Sequence, residues 1–353
     1  MVLEENVPLA PRTTLGVGGP ARYFVQARST ADLVAGVQFA RARQLPVFIL
    51  GGGSNLVVAD AGFPGLVMHI AIGGIEQREE DGRAIFEAGA GESWDALVAR
   101  AVAADCAGIE CLSGIPGTVG GTPVQNVGAY GQEVSETITG VLTLDLRDLQ
   151  LRAMCNEACG FAYRSSVFNT SERGRFVILR VMYSLEPGGA PRIAYRDLKN
   201  HFAGRSSPPT LAETREAVRQ IRQGKAMLIV PGDADARSAG SFFKNPVVSP
   251  EEYDRVRQRA RNAGLEVPSY PAEGQSTKIP AAWLVEHSGF QKGYARGPVG
   301  ISSKHALAIV NRGGATAADV ISLMREIQRG VRETFDLALH PEPVFVGFDE
   351  PQR

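Results

Sequence analysis

At 240–246 the chain reads GSFFKNP, a serine hydroxyl held between a glycine and two phenylalanines with Lys244 and Asn245 close behind. Two adjacent aromatics bring too much apolar area to stay wet on a mobile loop. A core strand, in turn, does not ordinarily continue into Lys-Asn-Pro. The segment therefore reads either as buried apolar structure meeting a polar task, or as a strand end followed by a turn in which Ser241 is merely small.

Glycine-rich stretches carry a second kind of chemistry. Gly51, Gly52 and Gly53, followed by Ser54 and Asn55, stand directly after the apolar run at 46–50. Bare backbone N–H groups there can converge on phosphate oxygens without side chains in the way, where one or two glycines would serve a plain tight turn. A longer region at 113–131 reads SGIPGTVGGTPVQNVGAYG. So many glycines cost folding entropy, which backbone wrapped around an extended ligand would explain. Two such loops suit a ligand with a pyrophosphate and a flat ring, and FAD held outside the Rossmann manner fits. The G-x-G-x-x-A run at 16–21 lacks a preceding buried strand and a following helix, so it is not a Rossmann fingerprint. No G-x-x-x-x-G-K-[ST] occurs, which excludes a P-loop.

These loops need elements to hold them. Residues 21–25 and 46–50 read as strands flanking a helix that Ser29 caps, with Asp32 at its third position. A helix opens at Ser93; strand-like runs follow at 141–146 and 176–183. Capping signals at Thr210, Ser249 and Thr316 open further helices, the first ending near Gly224, the second stopping at Gly264 and the last running through Val331. Strands and helices in irregular order point to an α+β fold rather than a doubly wound sheet.

Composition narrows the function classes. The chain has 353 residues, enough for two or three domains, and 44 % hydrophobic content suits a packed globular protein. Lys+Arg 37 against Asp+Glu 38 gives a net charge of -1 and no basic stripe, which argues against nucleic acid. No run approaches the ~20 apolar residues of a membrane helix, and 1–14 has no apolar signal region, so a cytoplasmic protein is expected. The four cysteines, Cys106, Cys111, Cys155 and Cys159, make no zinc pattern and read as reduced, buried thiols; no metal is expected.

In order along the chain, GGGSN, IPGTVGG with QNVGAYG, YRSSVF, GSFFKNP, AAWLVEHSG, ALAIVN and HPEPVFVG resemble the UDP-N-acetylenolpyruvoylglucosamine reductase family (MurB, type I) of peptidoglycan synthesis. The likeness covers nearly the whole chain. It implies a two-part FAD-binding unit of the vanillyl-alcohol-oxidase (PCMH) type plus an α+β domain that binds a UDP-sugar. The implied domains are 1–74 and 75–230 for FAD, completed by 335–353, and 231–334 for substrate. The implied reaction is reduction of UDP-N-acetylglucosamine enolpyruvate to UDP-N-acetylmuramate. NADPH reduces non-covalent FAD, and hydride then passes from flavin N5 to substrate C3. A monomer is expected, with the UDP-sugar and NADPH as its small-molecule partners.

Site roles follow from the same resemblance. Hydride addition at C3 leaves an enolate-like anion that Arg164 in YRSSVF and Glu342 in HPEP would stabilise. Ser241 would protonate C2, helped by Lys244 or a relaying water, while Phe242 and Phe243 hold the turn still. The cofactor would lie on Gly51, Gly52, Gly53, Ser54, Asn55, Ser113, Pro116, Gly117, Thr118, Gly120, Gly121, Asn126, Gly128 and Ile178. Substrate contacts would come from Tyr130, Tyr195, Lys225 (within R-x-x-K), Asn245, Lys292 and His305, although the family pattern has a glutamine near His305. Between Lys225 and Ser241 this chain is longer than the enterobacterial pattern, a change that loop entropy tolerates. Two rivals remain: an oxidase of the same fold, often with FAD attached through histidine or cysteine, and a flavin-binding protein without turnover. No histidine precedes His69 and none lies in the glycine loops, which weighs against the first. Arg164, Ser241 and Glu342 together weigh against the second.

Overall fold

Local signals fix where the helices begin. Ser29, Ser93, Thr210, Ser249 and Thr316 each sit in extended conformation and accept a hydrogen bond from the amide three residues on. The last three complete reciprocal capping boxes with Glu213, Glu252 and Asp319. The final helix, Ala317–Phe335, runs one turn past the expected Val331 because Phe335 continues the buried stripe, and Asp336 then ends it in left-handed conformation. The computed structural model describes residues 1–272 and 274–349.

The chain divides into two units, each with its own core. The first comprises Met1–Val7, Ala21–Gly53 and Pro64–Leu228. It holds an antiparallel sheet in the order Leu151–Cys155, Ile138–Asp145, Phe176–Pro187, Arg83–Gly89, Ile75–Glu80. A smaller sheet orders Leu3–Pro8, Pro20–Ala27, Phe63–Ile70 and Val47–Leu50, the last two parallel with Val47 opposite Leu66. One apolar cluster runs from Val25 through Trp94 to Leu185. At its centre Trp94 packs on Tyr183 and donates Nε1–H to the Leu112 carbonyl at 3.0 Å. The Tyr183 hydroxyl lies 2.7 Å from Thr122 Oγ1. Thr122 already donates to the Val119 carbonyl, so Tyr183 is the donor of that pair.

The second unit is built from Pro8–Pro20, Ser54–Phe63 and Ile229–Arg353. Segments 8–20 and 54–63 and the tail from 335 thus group in this unit, whereas the expected domains were 1–74, 75–230 with 335–353, and 231–334. Residues 350–353 of that tail lie outside the described residues. The causes are long-range bonds. Val344–Val346 pairs in parallel with Leu56–Val58. The Asp60 carboxylate accepts the first two amides of Ala317–Phe335 at 2.7 and 3.0 Å. Thr14 Oγ1 donates to the Ser238 carbonyl at 2.6 Å, and Asn311 Nδ2 donates to the Leu15 carbonyl at 3.1 Å. A three-stranded sheet, Ala295–Arg296, Val299–Ile301 and Ile309–Asn311, packs with Pro250–Asn262, Ala281–Glu286 and Ala317–Phe335 around the second core. Strands and helices mix irregularly in both units, and the α+β class holds.

Cys106, Cys111 and Cys159 are buried as expected; burial pushes the Cys159 thiol up to about 11. Cys155 is exposed instead, because it ends the edge strand of the larger sheet. None of the four is in a disulfide. No helix among the described residues is long and apolar enough to cross a membrane.

Tyr183→Phe removes the donor from a buried acceptor that nothing else can serve. We expect a loss of about 1–2 kcal/mol and a fall in Tm of about 2–6 °C by calorimetry, whereas an unchanged Tm would show that the hydroxyl pair contributes nothing.

Candidate functional site

In the first unit, two glycine loops meet backbone to backbone. A Cβ on Gly52 would lie 2.6 Å from the Gly117 Cα, and one on Gly51 would lie 3.0 Å from Thr118 Oγ1. Only residues without side chains can make this approach. Gly53 and Gly117 also hold φ of +65° and +127°, regions that L side chains rarely adopt. Beside them Thr118 Oγ1 is buried with no hydrogen-bond partner, a state that costs about 1–3 kcal/mol unless a ligand answers it. A Cβ at Gly121 would meet nothing within 4 Å. A bare cradle with one waiting hydroxyl fits the oxygens of a dinucleotide pyrophosphate. Pro116 lies between these glycines in sequence, and Ile178 is buried in the strand Phe176–Pro187.

Other expected cofactor residues are bonded within the first unit. Ser113 Oγ donates to the Glu110 carbonyl at 2.6 Å, and the Gly120 amide is taken by the Ala90 carbonyl at 2.9 Å. The Asn126 carboxamide is wholly engaged: it donates to Glu133 at 2.8 Å and to the Ala162 carbonyl at 3.1 Å, and accepts from the Ser135 amide at 3.1 Å. Arg164 docks on this loop, donating Nη2–H to the Gly128 carbonyl at 2.7 Å. Its turn is bolted down by Ser166 Oγ to the Val124 carbonyl, 2.7 Å, and by Asn169 Nδ2 to the carbonyl of Arg164 itself, 3.2 Å. Asn126, Tyr130 and Arg164 all have positive φ, of 44°, 50° and 53°. Such strain in non-glycine residues gathers where function demands a geometry.

Three expected substrate contacts also come together in the first unit. The Tyr130 and Tyr195 rings meet edge to face with centroids 5.5 Å apart, and Lys225 Nζ lies 5.8 Å from the Tyr130 centroid. Lys225 is ion-paired with Asp197. Tyr195 is 46 % exposed while Tyr130 is buried, so the outer ring can move over a fixed inner one. Burial pushes the Tyr130 phenol up from its ordinary value, and Arg222 and Lys225 pull against that shift. Sequence reasoning passed over Arg222, which is buried, hydrogen-bonds Tyr130 and donates to the Met227 carbonyl at 2.6 Å. Its Nε has no partner, and burial lowers its pKa. The R-x-x-K spacing was the available signal.

The second unit answers what GSFFKNP is. Phe242 and Phe243 are buried, their centroids 5.6 Å apart, and the segment is extended chain bonded on both sides. On one side the Phe242 amide donates to the Leu307 carbonyl at 2.8 Å. On the other, Phe243 bridges Pro341 in antiparallel fashion, and the Glu342 amide donates to the Phe242 carbonyl at 2.9 Å. Glu342 is thus bonded to the residue that follows Ser241, across a large separation in sequence. Asn55 joins them through Nδ2 to the Glu342 carbonyl at 3.4 Å, and its own carbonyl accepts the Val344 amide at 2.9 Å. The preceding Ser54 carbonyl accepts from Thr14 Oγ1 at 3.3 Å. Asn245 Oδ1 accepts the Ala281 amide at 2.9 Å. His305 Nδ1 accepts the Leu307 amide at 3.1 Å, close to the Ser241 segment. Lys292 is exposed, 3.9 Å from Glu286. No cluster of three or more His, Cys, Asp or Glu able to hold a metal occurs among the described residues.

The family model described as UDP-N-acetylenolpyruvoylglucosamine reductase, C-terminal domain, matches residues 232–346, and that described as FAD binding domain matches 21–148. The UDP-N-acetylenolpyruvoylglucosamine reductase of Thermobifida fusca is 46% identical over 97% of this chain and 97% of its own. That of Saccharopolyspora erythraea is 47% identical over 96% of this chain and 94% of its own. Among solved structures, the Thermus caldophilus enzyme of that name aligns with a TM-score of 0.65 at 28% identity, covering 98% of this chain and 100% of its own. The chain carrying this glycine cradle and this GSFFKNP segment belongs to the UDP-N-acetylenolpyruvoylglucosamine reductase family.

Proposed function

We propose that this protein reduces the enolpyruvyl ether of UDP-N-acetylglucosamine enolpyruvate to the lactyl ether of UDP-N-acetylmuramate, with NADPH as reductant and FAD as carrier. The observation that supports the reading is that the residue following Ser241 is bonded to Glu342, whose amide donates to the Phe242 carbonyl at 2.9 Å beside the Phe243–Pro341 bridge. The cradle of Gly51, Gly52, Gly53, Gly117 and Thr118 would hold the FAD pyrophosphate. When bound, FAD supplies hydride transfer from NADPH to C3 of the vinyl ether.

The chain's own residues supply the remainder. Addition of hydride at C3 moves the alkene electron pair toward C2 and its carboxylate. A fixed planar guanidinium is the group best shaped to meet that carboxylate, and Arg164 is held by the bonds to its turn so that no reorganisation is needed as charge develops. Glu342, its backbone fixed on Phe242, is the second group assigned to the enolate. Ser241 gives its hydroxyl proton to C2, and solvent returns a proton to the serine. Hydride and proton together saturate the C=C bond, and NADPH leaves as NADP⁺. Phe242 and Phe243, locked in the core, keep the serine from drifting.

Tyr130, Tyr195 and Lys225 form the grip for the UDP-sugar. Lys225 meets the diphosphate as a point charge, and Tyr195, the exposed ring of the pair, folds over it. Asn245, Lys292 and His305 are assigned lesser contacts with the sugar nucleotide. We assign FAD, Arg164 and the grip of Tyr130, Tyr195 and Lys225 to the first unit, and Ser241, Glu342 and the lesser substrate contacts to the second, the protein acting as a cytoplasmic monomer.

Three measurements check this. The purified protein should be yellow, bleach with NADPH without oxygen, and regain colour on adding the enolpyruvyl UDP-sugar; colour returning only with oxygen would favour an oxidase, and no bleaching a flavin carrier. Ser241→Ala should leave bleaching nearly intact while slowing re-oxidation by about 10²-fold or more, and equal losses in both halves would remove Ser241 as the proton donor. Tyr195→Phe should raise the substrate KM by about 3- to 10-fold with bleaching by NADPH unchanged; an unaltered KM would end the lid assignment.

A further inference from the structure

The lengthened stretch between Lys225 and Ser241 is not a slack loop. Asp235 is buried, and its Oδ2 accepts three hydrogen bonds from one turn: Ser302 Oγ at 2.9 Å, the Ser303 amide at 3.0 Å and Ser303 Oγ at 2.7 Å. Two residues earlier, Asp233 pairs with Lys304 at 2.6 Å, and that lysine holds the Asp233 carboxyl below its usual range. Ser302 Oγ in turn accepts the amides of Lys304 at 3.0 Å and His305 at 3.3 Å, so both ends of the clamp fold the same turn.

From this clamp the chain runs as a strap along Ile309–Asn311. The Asn311 amide donates to the Arg237 carbonyl at 2.9 Å, Ser238 bridges Val310, and the Phe242 amide closes on Leu307 at 2.8 Å. Between the last two tethers the strap, from Ser238 to Phe242, is one residue longer than the strand from Val310 to Leu307. The surplus is taken up at Gly240 and Ser241: Gly240 has φ +75°, and its amide turns back to Ser238 Oγ at 3.3 Å. A bulge of this kind re-aims one side chain and keeps its neighbours in register. The side chain here is Ser241.

We propose that Asp235 is a positioning residue for Ser241: its carboxylate locks the strap to the 302–305 turn, which fixes the bulge that aims the hydroxyl. The inference rests on the proton-donor reading of Ser241 given above. A misplacement of about 1 Å at a reacting group costs on the order of 10²-fold, and three bonds on one buried oxygen hold the strap against a shift of that size.

The test compares Asp235→Ala, Asp235→Asn and Ser241→Ala with the parent holoenzyme. Each half-reaction is followed anaerobically by flavin absorbance, the second in both H2O and D2O. Backbone hydrogen exchange is read across 236–243. Asp235→Ala should keep flavin reduction by NADPH within about twofold and slow re-oxidation by about 10- to 100-fold. Its solvent isotope effect should rise as proton delivery becomes limiting, and the amides of Gly240 and Phe242 should exchange faster. Asp235→Asn, whose amide oxygen can still accept, should fall between, and it alone decides the matter if the alanine variant does not fold. Re-oxidation within twofold of the parent in Asp235→Asn and Asp235→Ala while Ser241→Ala is crippled would overturn the inference alone. Equal slowing of both halves would likewise overturn it, as the mark of general destabilisation. Normal re-oxidation in Ser241→Ala would instead bring down the proton-donor reading, and the positioning role with it.

Discussion

Everything at the cofactor end depends on peptide groups touching peptide groups. Gly52 approaches Gly117 so closely that a single methyl on Gly52 has no room. That contact makes two loops from distant parts of the chain into one surface of bare backbone. It also dictates its surroundings: the Gly117 carbonyl accepts the Trp94 amide at 3.2 Å, and the amides of Val119 and Gly120 are taken by the Glu92 and Ala90 carbonyls, both at 2.9 Å. The loop is therefore an extension of the core around Trp94, and its glycines owe their fixed geometry to that anchoring, not to their own preferences.

The strained residues show the same logic with side chains. Asn126, Tyr130 and Arg164 occupy left-handed backbone that costs roughly 1 kcal/mol or more each. Each is held by neighbours: Asn126 by three hydrogen bonds, Tyr130 by Arg222 and the packing of Leu198 and Val218, Arg164 by Gly128 and Asn169. The strain persists because the surroundings over-determine it. What the protein gains is a guanidinium and a phenol whose directions are set before any ligand arrives.

Much of this was legible in the sequence, and the reason is range. Helix starts at Ser29, Thr210, Ser249 and Thr316 are written within four residues, so local chemistry suffices to read them. The glycine loops announced themselves by composition, and GSFFKNP by the conflict between its aromatics and its polar end. Membership of the two units was not legible, because it turns on partners such as Leu56 with Val344 and Thr14 with Ser238 that nothing local specifies. Arg222 and Asp235 escaped for a related cause. A buried charge looks like a surface one until the fold shows what covers it, and Asp235 finds its partners 67 and 68 residues away. The three bonds of the Asn126 side chain, to Glu133, Ala162 and Ser135, were likewise not legible, because their partners are set by the fold.

The interleaving of segments has a consequence for biogenesis. Val344–Val346 pairs with Leu56–Val58, a segment made far earlier. The first unit ends at Leu228 and has its entire core in hand while synthesis continues. The second must keep Pro8–Pro20 and Ser54–Phe63 waiting until the segment that carries Val344–Val346 has been made. Its closure is thus a late event of high contact order, and the segment that bears Ser241, bonded to 340–342, shares that delay.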